Sequence, residues 1–196
     1  MVNKKKLTGF IIHGFAVAHA ATAFTLAQTL VGDEAALTAL TIAMIVTVAK
    51  INGADWSVSK AFSYLGVFAG GYFGSRGAVF LIKWIPGIGN LANATVSFAL
   101  TEAMGWATYL IIQKSKDPEN LSKKDAAAIW KEAKVMREEE KGKMKKLYES
   151  MNPEEKNEFD NIMNQLQNKD LPKETIDYLS SRLEAISSKY VSGDEP

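Results

Sequence analysis

Apolar positions along this chain fall into four long runs, followed by a stretch where they recur only every third or fourth residue. Residues 7–31 carry no Asp, Glu, Lys or Arg, and about 20 apolar residues suffice to cross the hydrocarbon of a bilayer. A shorter run covers 35–51. A third, 58–82, is interrupted by Lys60 and Arg76, and a fourth, 88–112, contains one charge, Glu102. Helices apolar on every side are buried in a core or in lipid, because no polar face is left for water. The pattern predicts four helices, roughly 8–31, 35–51, 57–82 and 88–113, each taken as a membrane span. Pro86, Gly87 and Gly89 suit a tight turn into the fourth, one fixing φ and the glycines permitting φ > 0.

Beyond Gln113 the period becomes that of an amphipathic helix. Ser122 is placed to cap a helix whose apolar positions are Ile129, Ala133, Met136, Met144, Leu147 and Met151. Asn152, Pro153, Glu154 and Glu155 restart the chain with a cap, a proline and acids in the first turn. Phe159, Ile162, Met163 and Leu166 form that helix's apolar face. A third helix begins after Pro172, with Ile176, Leu179, Leu183 and Ile186 on one side.

Charge sharpens the division. The chain has 23 basic and 22 acidic residues and a mean hydropathy of -0.07, the average of two unlike parts. Only Lys4, Lys5, Lys6, Lys50, Lys60, Arg76, Lys83, Asp33, Glu34, Asp55 and Glu102 lie in the first 112 residues. This predicts an all-α protein: a transmembrane domain over 1–113 and a soluble helical domain over 114–196. A soluble core domain is the rival reading, but helices with a wet face need more charge than the first part supplies. Lys4–Lys6, the apolar run and Ala18-His19-Ala20 imitate a secretory signal, yet the run continues well past Ala20. Neither part is strongly basic, which argues against a nucleic-acid partner. There is no cysteine, so disulfides and thiolate chemistry are excluded.

Lys and Arg in short loops set orientation. Lys4–Lys6 and the cations Lys114, Lys116, Lys123 and Lys124 put both termini on the cytoplasmic side, and the acidic Asp33–Glu34 loop outside. Arg76 and Lys83 fit this less well. The expectation is an integral protein of a bacterial cytoplasmic membrane.

Candidate chemistry is sparse. Gly66, Gly70 and Gly74 form a small-residue ridge that lets helices approach closely, within the chain or in a homo-oligomer. On the fourth helix Asn90, Asn93, Ser97, Thr101 and Thr108 fall in one sector of about 80°. Such a stripe either hydrogen-bonds inside a bundle or lines a hydrated cavity. Glu102 lies off the stripe; an intramembrane carboxylate marks a functional site by default, with His13, His19 or Lys50 as possible partners. Two lone histidines without metal-ligand spacing argue against a metal site. No phosphate loop or catalytic constellation stands out, so no enzyme and no cofactor is expected.

Several short elements carry a resemblance. They are Asp33 ahead of an Ala-Leu pair, Met44-Ile45, Gly53 in the following turn, Ile85-Pro86-Gly87-Ile88-Gly89, and the run from Thr101 through Glu102 to Gly105. Over about residues 20–112 the chain resembles the YcjF-like family of GTPase-associated integral membrane domains, whose function is unknown; residues 113–196 are not covered. The resemblance implies a helical membrane domain that travels with an Era-like GTPase and carries no catalysis of its own. The expected function is a membrane-embedded adaptor or scaffold, for which the resemblance offers a GTPase as partner. The alternative is a homo-oligomeric channel or transporter-like assembly lined by the fourth helix.

Overall fold

The computed structural model describes the backbone of residues 2–29, 34–73 and 91–192, and the side chains of 2–25, 36–67 and 94–192. The long elements in this range are all helices: α1 (Lys4–Thr29), α2 (Glu34–Ile51), α3 (Val58–Phe73), α4 (Leu91–Gln113), α5 (Lys123–Glu149), α6 (Pro153–Gln165) and α7 (Lys173–Val191). A 3-10 turn at Pro118–Asn120 precedes α5. The described residues contain no strand.

Local chemistry sets where these helices start and stop. The Ser122 side chain accepts from the Asp125 amide, and the Asn152 side chain from the Glu155 amide. Each satisfies a donor that the first helical turn leaves unpaired. Pro172 opens α7 with no side-chain cap. α2 ends at Gly53, whose φ of 81° lets the Gly53 and Ala54 amides turn back onto the Lys50 and Ala49 carbonyls. The same pair of bonds ends α4, from Ser115 to Ile112 and from Lys116 to Ile111, but there a serine takes the left-handed position, with φ 50°.

The helices run alternately. Ile12 meets Gly105 and Gly9 meets Trp106, so α1 and α4 are antiparallel. His19 meets Leu37 and Thr8 meets Asn52, so α1 and α2 are antiparallel as well. Lys5 pairs with Glu140 at 3.0 Å, and the His13 ring meets that of Tyr148. α5 therefore runs parallel to α1 and antiparallel to α4. The N-terminus, the turn at residues 52–57 and the start of α5 consequently gather at one end.

Residues on both sides of Gln113 share one hydrophobic core. Phe10 is a junction: its ring stacks on Tyr190 of α7 at 6.0 Å, meets Phe159 of α6 edge-on and lies tilted against Tyr148 of α5. Residues 7–16, 42–49 and 101–108 are buried without a break. These are the levels at which α5, α6 and α7 close over α1, α2 and α4. Past them, at 17–25, 36–41 and 94–100, buried and open positions alternate.

Two segments, Lys4–Thr25 and Ala94–Gln113, are long and apolar enough to cross a membrane; 67% of one and 61% of the other is buried inside the protein. The apolar stretch of α2, Ala36–Ile51, is shorter. The expected third span, 57–82, runs out of the described residues. The glycine ridge is expected to pack within the chain or in a homo-oligomer. Gly66 is exposed, with no atom within 4 Å of the place its Cβ would take. Gly70 lies on α3, and Gly74 is outside the described residues. Close approach within the chain occurs at Gly14, where a Cβ would stand 2.3 Å from the Phe159 ring, and at Gly105, 2.6 Å from Ile12.

Candidate functional site

Glu102 faces α1 and α5 from the middle of α4 and is 2% exposed. Its Oε1 accepts from Nδ1 of His13 at 2.8 Å. Its Oε2 accepts from Nε of Arg137 at 3.1 Å. Both oxygens are thus engaged, by a base on α1 and a cation on α5. Arg137 continues outward: its Nη1 donates to Glu138 at 2.6 Å, and Glu138 in turn accepts from Lys141. The Arg137 side chain is 21% exposed, so the group runs from a dry carboxylate to water in two residues.

Aromatic rings close the site. His13 packs edge-on against Phe98 at 5.2 Å and Tyr148 at 5.8 Å. The Tyr148 hydroxyl donates to Asp160 at 3.0 Å, and Lys156 sits over its ring at 4.9 Å. Burial, reinforced by the Asp160 charge, holds the Tyr148 phenol above its ordinary range. A carboxylate in this setting is kept by its partners. Leaving either behind costs more than the pair contributes, because the remaining charge has lost its water.

His19, two turns along α1, has a different task. Its Nε2 donates to the Leu37 carbonyl at 2.9 Å, beside the Thr41 hydroxyl, and so ties α1 to α2. Lys50 lies away from Glu102 and donates to the Asp177 carbonyl of α7 at 2.6 Å. Close by, Thr47 of α2 and Ser180 of α7 share a hydrogen bond of 2.7 Å between buried hydroxyls.

Two hydroxyls of the α4 polar stripe bond within their own helix. Thr101 donates to the Ser97 carbonyl at 2.9 Å and Thr108 to the Met104 carbonyl at 3.0 Å, as hydroxyls do when a helix offers no outside partner. Thr108 also reaches the Tyr64 hydroxyl of α3 at 3.3 Å. Ser97 is buried. Asn93 lies on α4, and Asn90 and the turn at 86–89 fall outside the described residues.

Arg137 is the member that the sequence does not single out, because it stands in a run of charged residues. A signal was there. Ala126, Trp130, Ala133, Arg137, Glu140, Met144 and Tyr148 follow each other at three- and four-residue steps, the period of the buried face. An arginine in that register needs an acid on the surface it packs against. Among the described residues no three His, Asp or Glu side chains converge as a metal site would require. Comparisons with protein-family models, curated proteins and solved structures give no match for this chain.

Proposed function

We propose that the protein is a membrane-associated helical scaffold, with the far ends of α1, α2 and α4 in the bilayer and α5–α7 as its water-exposed platform. The observation that carries this reading is the change of surroundings along the apolar helices. Below the level of Glu102 they are wrapped by charged, amphipathic helices. Above it α1 and α4 carry no charge, α2 carries none before Glu34 at its far end, and the cover is lost: Phe24 and Val96 are 43% and 46% exposed. Apolar surface of this kind, continued by uncharged sequence, favours lipid over water. The end that gathers the N-terminus, the 52–57 turn and α5 carries Lys4–Lys6, Lys114 and Lys116, which supports a cytoplasmic side for both termini.

A GTPase as the partner of the platform rests on the resemblance over residues 20–112 alone. A pore lined by α4 draws less support, since Thr101 and Thr108 spend their hydroxyl protons on their own helix. Flotation with vesicles of phosphatidylcholine and phosphatidylglycerol tests the membrane reading. The protein is expected to rise with the vesicles and to resist extraction by high salt. Recovery with the soluble fraction, with no lipid bound, would refute it.

A further inference from the structure

The segment Ala94–Gln113 has the length of a bilayer crossing, about 30 Å at 1.5 Å per residue. Glu102 sits near its middle. In the structure that middle is held by Arg137 on α5, and the contact continues toward the α4 C-terminus, where Lys114 pairs with Glu132 at 3.1 Å and Lys116 with Asp125 at 3.5 Å. The outer side of α5 at this level carries Glu138, Glu139 and Lys141, all exposed to water. Such a helix cannot enter hydrocarbon. With α5 in place, only residues 94–101 of the segment are clear of it, about 12 Å of helix. That reaches into one leaflet and no further. α1 is held back in the same way, by Glu140 of α5 at Lys5 and by Phe159 of α6 at Gly14.

We propose that the protein switches between this closed form, in which α5–α7 cover α1 and α4, and an open form in which the α1–α4 pair crosses the bilayer, with the Glu102–Arg137 contact as the catch. The proposal rests on the membrane reading above and goes one step beyond it. The two partners of Glu102 differ in the way such a switch requires. Arg137 belongs to the cover and departs with it into water. His13 belongs to α1 and travels with Glu102, so the carboxyl keeps a hydrogen-bonded partner at 2.8 Å. Ionisable groups within a membrane are tolerated when they pair with one another.

A chain without cysteine allows a clean test. Ser180→Cys on α7 and Ala133→Cys on α5 each bury a single thiol where the structure leaves 1% and 0% of the residue exposed. Each full-length variant is treated with a membrane-impermeant maleimide, alone and bound to vesicles of phosphatidylcholine and phosphatidylglycerol. Both thiols are expected to be protected in the free protein and to react at least about tenfold faster on vesicles. Adding Arg137→Gln removes the catch and is expected to raise the rate further on vesicles; an unchanged rate there would show that this contact does not hold the closed form. Thiols that stay protected in protein that floats with the vesicles would overturn the switch and leave the membrane reading standing. A protein that never floats overturns both. The two reporters lie on different helices, so a folding defect in one variant leaves the other to decide.

Discussion

Two successive stretches of α4, 101–108 and 94–100, have opposite surroundings. From Thr101 to Thr108 every residue is buried, and the neighbours are α1, α3 and the charged helix α5. From Ala94 to Leu100 only Ser97 is buried, and Val96 stands nearly half exposed. α1 repeats the contrast, closed over 7–16 and open over 17–25. An apolar helix therefore states only that it must be covered. What covers it, protein or lipid, is settled turn by turn by whichever partner reaches that level.

The contrast is broken most severely at Glu102. Glu102→Leu removes both hydrogen bonds and strands Arg137, at an expected cost of about 2–4 kcal/mol, the low side of what a fully buried pair loses because Arg137 keeps some water. Urea unfolding measures it. Adding Arg137→Met should recover a good part of the loss, and a double variant no better than the single one would show that the arginine is not the stranded partner. Gly14→Ala comes next. Its Cβ enters the Phe159 ring, so about 2 kcal/mol is expected to be lost even after the gain in helix propensity. Gly66→Ala on the open face of α3 should instead gain up to about 1 kcal/mol. Equal effects at the two glycines would mean that the cover over α1 is not where the structure has it. In the open half, Phe24→Ser should change unfolding by less than about 0.5 kcal/mol while lowering the fraction that floats with vesicles.

Smaller effects probe the edges of the cover. Ser115 holds a left-handed conformation that costs a side chain about 1 kcal/mol, partly offset by the extra freedom glycine brings to the unfolded chain. Ser115→Gly should raise stability by about 0.5 kcal/mol, visible as a small rise in the unfolding midpoint. Glu155 joins α6 to α7. Hydrogen bonds from Lys189 and Tyr190, the Lys189 charge and the Asn152 amide hold its carboxyl below the usual glutamate range. A carboxyl lower in the folded than in the unfolded state contributes stability above its ordinary range, lost as pH falls through the folded value. Melting curves below about pH 5 should therefore be flatter with pH for Glu155→Gln than for the natural chain. Parallel curves would remove the carboxylate from the α6–α7 contact.

Much of the fold was legible beforehand. Ser122, Asn152 and Pro172 mark the starts of α5, α6 and α7 because capping is a matter of three or four neighbouring residues, and the sequence holds all of them. The apolar faces of α6 and α7 follow for the same local reason. Gly66 and Gly70 have the spacing of a packing ridge, but spacing does not say whether another helix lies opposite. Gly9, Gly14 and Gly105 have no repeat, yet two of them stand against rings and the third against Ile12.

By itself, the sequence determined that the chain is helical throughout its described length, where most helices begin and end, and that α1 and α4 need cover on every side. It also carried a hint of Glu102's base, since His13 is one of two histidines available. Only the tertiary structure decided that the cover comes from the charged third of the chain, that it stops at the level of Glu102, and that Arg137 is the second partner. The reason is range. Capping, propensity and period act within a turn or two, and can be read from neighbours. The pairing of Glu102 with residues 89 before and 35 after it depends on which helices lie side by side, and that follows from the packing of the whole core.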